Sequence, residues 1–63
     1  MSINVDSIKN LAQFHLKEYG KINSRMIATN QNCCYLDVED VLESEGYVLN
    51  KATGYWEKPL DFS

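Results

Sequence analysis

Twice along this chain apolar residues recur at the spacing of a single helical face, and each time a glycine closes the run. The first run covers residues 5–19, where Val5, Ile8, Leu11, Ala12, His15, Leu16 and Tyr19 share one stripe at 100° per residue. Asn4 or Asp6 can cap its start and Gly20 can end it in a left-handed conformation. The second covers residues 35–45, with Tyr35, Val38, Val41 and Leu42 on one face and Leu36, Asp40 and Glu43 on the other, before Gly46. Two such helices in 63 residues leave little chain for a sheet. What remains after Gly46 reads as a β-hairpin: residues 47–49 and 55–57 flank the turn-forming stretch 50–54, with Gly54 at a positive-φ position and Pro59 closing the strand. The fold class is therefore α+β.

Between the helices the pattern is thinner. Residues 21–23 can form a short strand, and Ser24 is a candidate cap for a brief helix over residues 25–30. Few apolar residues support that helix, and Asn30, Gln31 and Asn32 favour a turn. The chain shows no repeat and no linker, so residues 1–63 are expected to form one small domain with loose ends at Met1–Ser2 and in the tail 59–63.

Size sets a further constraint. A domain of about 60 residues buries only about 60% of the surface its unfolded chain exposes, so a metal, a disulfide or a second chain commonly supplements it. Cys33 and Cys34 are adjacent and cannot staple distant segments, which fits a reducing compartment. No run approaches the ~20 apolar residues that span a bilayer, and the N-terminus lacks the features of a secretory signal. A cytoplasmic location without membrane contact is the expectation.

Charge is unevenly placed. Five of the nine carboxylates, Asp37, Glu39, Asp40, Glu43 and Glu45, crowd residues 37–45, which hold no base. The net charge of −3 is thus the property of one surface.

The order helix, short strand, short helix, helix, glycine, hairpin resembles a winged helix-turn-helix. Residues 20–28 look like that family's strand and second helix, residues 38–48 like its third helix running into the first wing strand, and residues 54–56 like the returning strand. The resemblance covers roughly residues 5–58. It implies either DNA binding through the third helix and the wing, or a protein-interaction or dimerisation role, since many members have lost the first. Here the outward positions of the third helix are Leu36, Asp37, Glu39, Asp40 and Glu43. Base edges need donors and phosphates need cations, so acids at these positions forfeit both. The cations left for a nucleic-acid role are Lys21, Arg25, Lys51 and Lys58, beside the second helix and the wing.

Catalysis finds no purchase. The chain has one histidine, no glycine-rich phosphate loop and no nucleophile elbow, and the carboxylates of residues 37–43 are spread around exposed helix surface instead of paired in a cleft. Cys33, Cys34 and His15 offer at most three soft ligands without the Cys-x-x-Cys spacing of a zinc site, so no metal and no cofactor is expected. His15, inside an apolar stripe, is expected to be buried with one nitrogen bonded to backbone or to the hydroxyl of Tyr19, Tyr35 or Tyr47. Tyr47, Tyr55 and Trp56 are expected to cap the open end of the core.

A set of apolar residues points away from that core: Phe14, about 120° from the centre of the first stripe, Leu36, one face of the hairpin, and Leu60 and Phe62 in the tail. So many on a short chain imply a surface covered in the working state. The expectation is a small non-enzymatic regulatory protein, homodimeric and binding a partner protein through Phe14, Leu36, Asp40, Glu43, Tyr55 and Trp56, with no small-molecule substrate. The competing expectation is a DNA-binding transcriptional regulator. In size and style the chain is similar to the short early-region proteins of temperate phages, which commonly redirect a host regulator.

Overall fold

A computed structural model describes residues 4–59. The expected loose ends at residues 1–2 and 60–63, with Leu60 and Phe62, lie outside the described residues. Helix α1 runs Val5–Tyr19, α2 Ser24–Gln31 and α3 Tyr35–Ser44, followed by strands β1 Val48–Asn50 and β2 Tyr55–Glu57. The domain is α+β, three helices against one antiparallel hairpin.

Every helix boundary except the start of α3, where Cys34 provides no side-chain cap, has a local cause. Asn4 caps α1 by accepting the Ser7 N–H at 3.0 Å, and Gly20, at φ 75°, ends it with its N–H donating to the Leu16 carbonyl. The cap of α2 is Asn23, whose side chain accepts the Met26 N–H at 3.1 Å. Ser24, expected as that cap, is instead the first helical residue and is buried. The polar run 30–32 was expected to favour a turn; Asn30 and Gln31 instead stay in the helix and Asn32 alone ends it, at φ 55°, its N–H reaching the Thr29 carbonyl and the Cys33 N–H that of Ala28. Asparagine tolerates the left-handed region better than other side chains, so Asn32 does here what glycine does elsewhere. The same pair of bonds closes α3, from Gly46 to Glu43 and from Tyr47 to Leu42, and aims the chain into β1.

The hairpin pairs Val48 with Glu57, Leu49 with Trp56 and Asn50 with Tyr55. Its turn is held by Asn50, whose carbonyl accepts the Gly54 N–H at 2.7 Å and whose side chain accepts the Ala52 N–H, with Gly54 at φ 81°. On the other side of β2, Ile22 and Trp56 exchange both backbone hydrogen bonds, at 2.7 and 2.9 Å. The expected strand at residues 21–23 is thus a single bridge, which makes β2 central and leaves β1 at the edge.

The core is Ile8 and Ala12 of α1, Ile22 of the bridge to β2, Ile27 and Ala28 of α2, Val38, Val41 and Leu42 of α3, and Trp56 of β2. Burying a side chain the size of Ile or Leu contributes about 1.5–3 kcal/mol, so this set supplies most of the drive for packing three short helices. Phe14 and Leu36 stay outside it, 50% and 55% exposed, as their positions on the helical stripes require.

His15 is buried and accepts the Asn23 backbone N–H through Nδ1 at 3.2 Å. Backbone, not a tyrosine hydroxyl, satisfies that nitrogen. The bond ties the middle of α1 to the residue that caps α2. Accepting at Nδ1 requires the neutral ring, and burial pushes the imidazole pKa below its ordinary value.

Candidate binding groove between the third helix and the hairpin

The carboxylates of α3 divide according to the element each one faces. Glu45 sits at the helix end, 3.4 Å from the Lys9 ammonium of α1. Asp37 lies in the first turn, where a negative charge is favoured by the helix dipole. Glu39 was read from the sequence as outward-facing, and the structure corrects this. It is half-buried, and its Oε2 accepts both the Ser24 hydroxyl at 3.2 Å and the Trp56 indole N–H at 3.3 Å. One carboxylate thereby joins α2, α3 and β2. Being four residues after Tyr35 and three before Leu42, position 39 borders the apolar stripe, a signal that was available in the sequence.

Asp40 and Glu43 have no such task. Both are exposed, and among the described residues no hydrogen bond or ion pair engages either carboxylate. With Leu36 they stand at positions i, i+4 and i+7, so they form one ridge along α3. Facing that ridge across an open groove of about 730 Å³ are Val48 and Leu49 of β1, 47% and 39% exposed, and Lys51 of the turn, with Trp56 in the floor. Leu49 is directly opposite Trp56 in the hairpin register and so shares its face, turned toward α3. Leu36 and Leu49 thus face each other across one concave strip beside two unpaired acids, with Val48 at its rim on the other face of β1.

The structure brings together only part of the expected interface. Leu36, Asp40 and Glu43 line the groove. Trp56 does not offer an exposed surface: it is 6% exposed and belongs to the core, held by its backbone bridge to Ile22 and its indole bond to Glu39. Tyr55 is half-buried, its ring under the Lys21 ammonium at 4.9 Å, and it does not line the groove. Phe14 is on a different surface, edge to face with Tyr19 at 6.3 Å and beside the His15 ring. Val48 and Leu49, absent from the named residues, complete the site. Two consecutive apolar residues on a strand exceed what one buried face can use, and that was their signal.

The four cations considered for nucleic acid do not converge. Lys21 lies over Tyr55 and Arg25 over Tyr35 at 4.5 Å, both cation–π contacts. Lys51 lines the acidic groove, and Lys58 lines a separate cleft with Gln13, Lys17 and Glu57. Cys33 packs against the core, while Cys34 is exposed at the start of α3. Among the described residues, no three of His, Cys, Asp and Glu gather as a metal site, and no helix is long and apolar enough to cross a membrane. Comparisons of the chain with family models, with curated proteins and with solved structures return no match.

Proposed function

We propose that this protein acts by binding another protein, without catalysis, as a small regulatory module whose contact surface is the groove between α3 and β1. The observation that carries this reading is the clustering of exposed Leu36, Val48 and Leu49 beside two carboxylates that serve no internal partner. Contiguous exposed apolar area on so small a chain marks a surface covered in its working state. Support comes also from the order of elements, which resembles that of a winged helix-turn-helix. In such a domain α3 and the hairpin would face nucleic acid, and here that place holds Leu36, Asp40 and Glu43. A phosphate backbone meets repulsion there. Redirection of a host regulator, in the manner of the short early-region proteins of temperate phages, is the role we assign to it.

Self-association is part of this reading, through the other apolar patch. A two-fold axis through the groove would bring Asp40 and Glu43 against their own copies, whereas Phe14 and Tyr19, 50% and 58% exposed, carry no charge. We assign the homodimer to the Phe14 surface and the partner to the groove.

The test places a photo-crosslinking residue at Leu49 in one sample and at Met26 on α2 in another, and identifies the captured species from cell lysate by mass spectrometry. A protein cross-linked from position 49 and not from position 26 is the expected result. Duplex DNA is expected to bind no tighter than about 10 µM at about 50 mM salt, where any phosphate-driven mode is strongest. A sequence-dependent gel shift at nanomolar protein would overturn the reading in favour of DNA.

A further inference from the structure

The groove's own chemistry narrows what can occupy it. Resting on the protein-partner reading above, we propose that it takes a cationic amphipathic segment of the partner, one presenting large apolar side chains on one face with lysine or arginine flanking them.

The apolar part of the argument is geometric. Leu36 on the α3 ridge and Leu49 on β1 stand on opposite walls, with Val48 beside Leu49 and the indole of Trp56 beneath. A groove walled by a helix on one side and a single strand on the other accepts one apolar row, as an amphipathic segment supplies. Its depth is limited because Trp56 is fixed on both sides, by Ile22 through backbone and by Glu39 through its N–H. The floor is therefore pre-formed, and apolar side chains can seat without rearranging it.

Charge selects among such segments. Of the five carboxylates of residues 37–45, Glu39 is occupied internally, Glu45 faces Lys9, and Asp37 stabilises the helix start. Asp40 and Glu43 alone project along the groove without a partner among the described residues. Lys51, at the far end, offsets one of them at most. An acidic segment would set carboxylates against this ridge, a neutral one would leave the ridge unpaired on losing its water, and a basic one satisfies both acids. The same sign argument removes nucleic acids and anionic lipid surfaces as occupants. It also removes a second copy of α3.

The occupant is testable without knowing the partner. The intact protein, labelled with ¹⁵N and ¹³C, is titrated with three synthetic peptides of about 14 residues: a leucine–lysine amphipath, its leucine–glutamate counterpart, and a lysine–serine peptide of the same positive charge. The leucine–lysine peptide is expected to bind at least about tenfold tighter than either of the others. Its largest shifts should fall on the Leu36 and Leu49 methyls and the Trp56 indole N–H. Asp40→Lys combined with Glu43→Lys should reverse the preference toward the leucine–glutamate peptide. Leu36→Ser should weaken the leucine–lysine peptide about tenfold or more while leaving the fold's spectrum intact.

Equal binding of both amphipaths would overturn the charge argument, and equal binding of the lysine–serine peptide would overturn the groove argument. Shifts centred on Phe14 and Tyr19 would overturn the location. A lysate protein cross-linked at position 49 together with failure of the leucine–lysine peptide would reject the cationic occupant and leave the protein-partner reading standing. Peptide binding at the groove without any cross-linked protein would reject that reading instead.

Discussion

Glu39 and Asp40 are neighbours in the chain and opposites in what surrounds them. The side chain of Glu39 turns inward and one of its oxygens accepts from both Ser24 and Trp56, so three elements depend on it. Asp40, one residue and 100° further round the helix, is exposed at the groove beside Leu36, with no hydrogen bond or ion pair on its carboxylate among the described residues. Composition alone cannot separate these two acids, because both belong to the same run of carboxylates. The difference lies in where the stripe of Val38, Val41 and Leu42 puts the helix against its neighbours, and it predicts that one acid governs stability and the other recognition.

The largest effect should come from Glu39→Ala. It removes the acceptor from a buried indole N–H and a buried hydroxyl, and unsatisfied buried groups cost more than the net worth of the bonds they lose. A loss of about 1–3 kcal/mol is expected, read as a lower urea midpoint with an unchanged slope. Glu39→Gln keeps an acceptor oxygen without the charge and should lose less. In a double-mutant cycle with Ser24→Ala, the two losses should fall short of additivity, since they share one bond. Additive losses would mean that Ser24 and Glu39 act independently, and the contrast with Asp40 would dissolve.

Next in size is Phe14→Glu, which addresses the surface remote from the groove. Phe14 packs its ring against Tyr19 and is half exposed, so the monomer's fold should survive the change. If the Phe14 surface joins two copies, burying the exposed half of each ring contributes about 1 kcal/mol per copy to association. The wild-type melting temperature should then rise with protein concentration, and the variant should lose both that dependence and the dimer mass. Light scattering showing a monomer at about 100 µM for both proteins would assign Phe14 and Tyr19 no role in self-association.

A smaller effect is expected from pH. His15 holds the Asn23 N–H through Nδ1, which only the neutral ring can do, and burial lowers its folded pKa below the unfolded value of about 6.5. The unfolded chain therefore takes up the proton first on acidification. Stability contributed by the neutral imidazole is present above about pH 6.5 and is lost as pH falls through that value toward the folded pKa. The melting temperature should decline over that window in the wild type and less so in His15→Gln. An imidazole titration at or above 6.5 by NMR would contradict the burial argument.

Much of this architecture was legible in the chain, and the misses have a common cause. The stripes of α1 and α3, the closing glycines and the hairpin turn are local patterns, and they sit within a residue or two of where periodicity puts them. His15 was legible for the same reason. The errors arose where a polar residue had two local options. Asn23 and Ser24 are both good caps, and the choice fell to Asn23 because tertiary contact with Glu39 draws Ser24 inward. Asn32 could break a helix or close one in the left-handed region, and it closes α2. The groove was half legible: Leu36, Asp40 and Glu43 follow from the wheel, but their meeting with Val48 and Leu49 depends on how Tyr47 leaves α3, a bond between Tyr47 and Leu42 that no periodicity encodes.

The smallest stability effect is the one that completes the contrast. Asp40→Ser with Glu43→Ser removes two exposed charges that have no partner among the described residues, so the urea midpoint should correspond to a change within about 0.5 kcal/mol. The sign should lean toward stabilisation, because Asp40 and Glu43 are three residues apart on one face and Glu43 lies four from Glu39, spacings at which like charges repel. Added salt should raise the stability of the wild type more than that of the double variant, since screening relieves a repulsion only the wild type retains. Affinity for a cationic partner should meanwhile fall, so the same two acids that contribute nothing to the fold account for binding. A double variant destabilised by 1 kcal/mol or more would show that Asp40 and Glu43 hold the hairpin against α3, which would make the groove a structural joint and erase the distinction from Glu39.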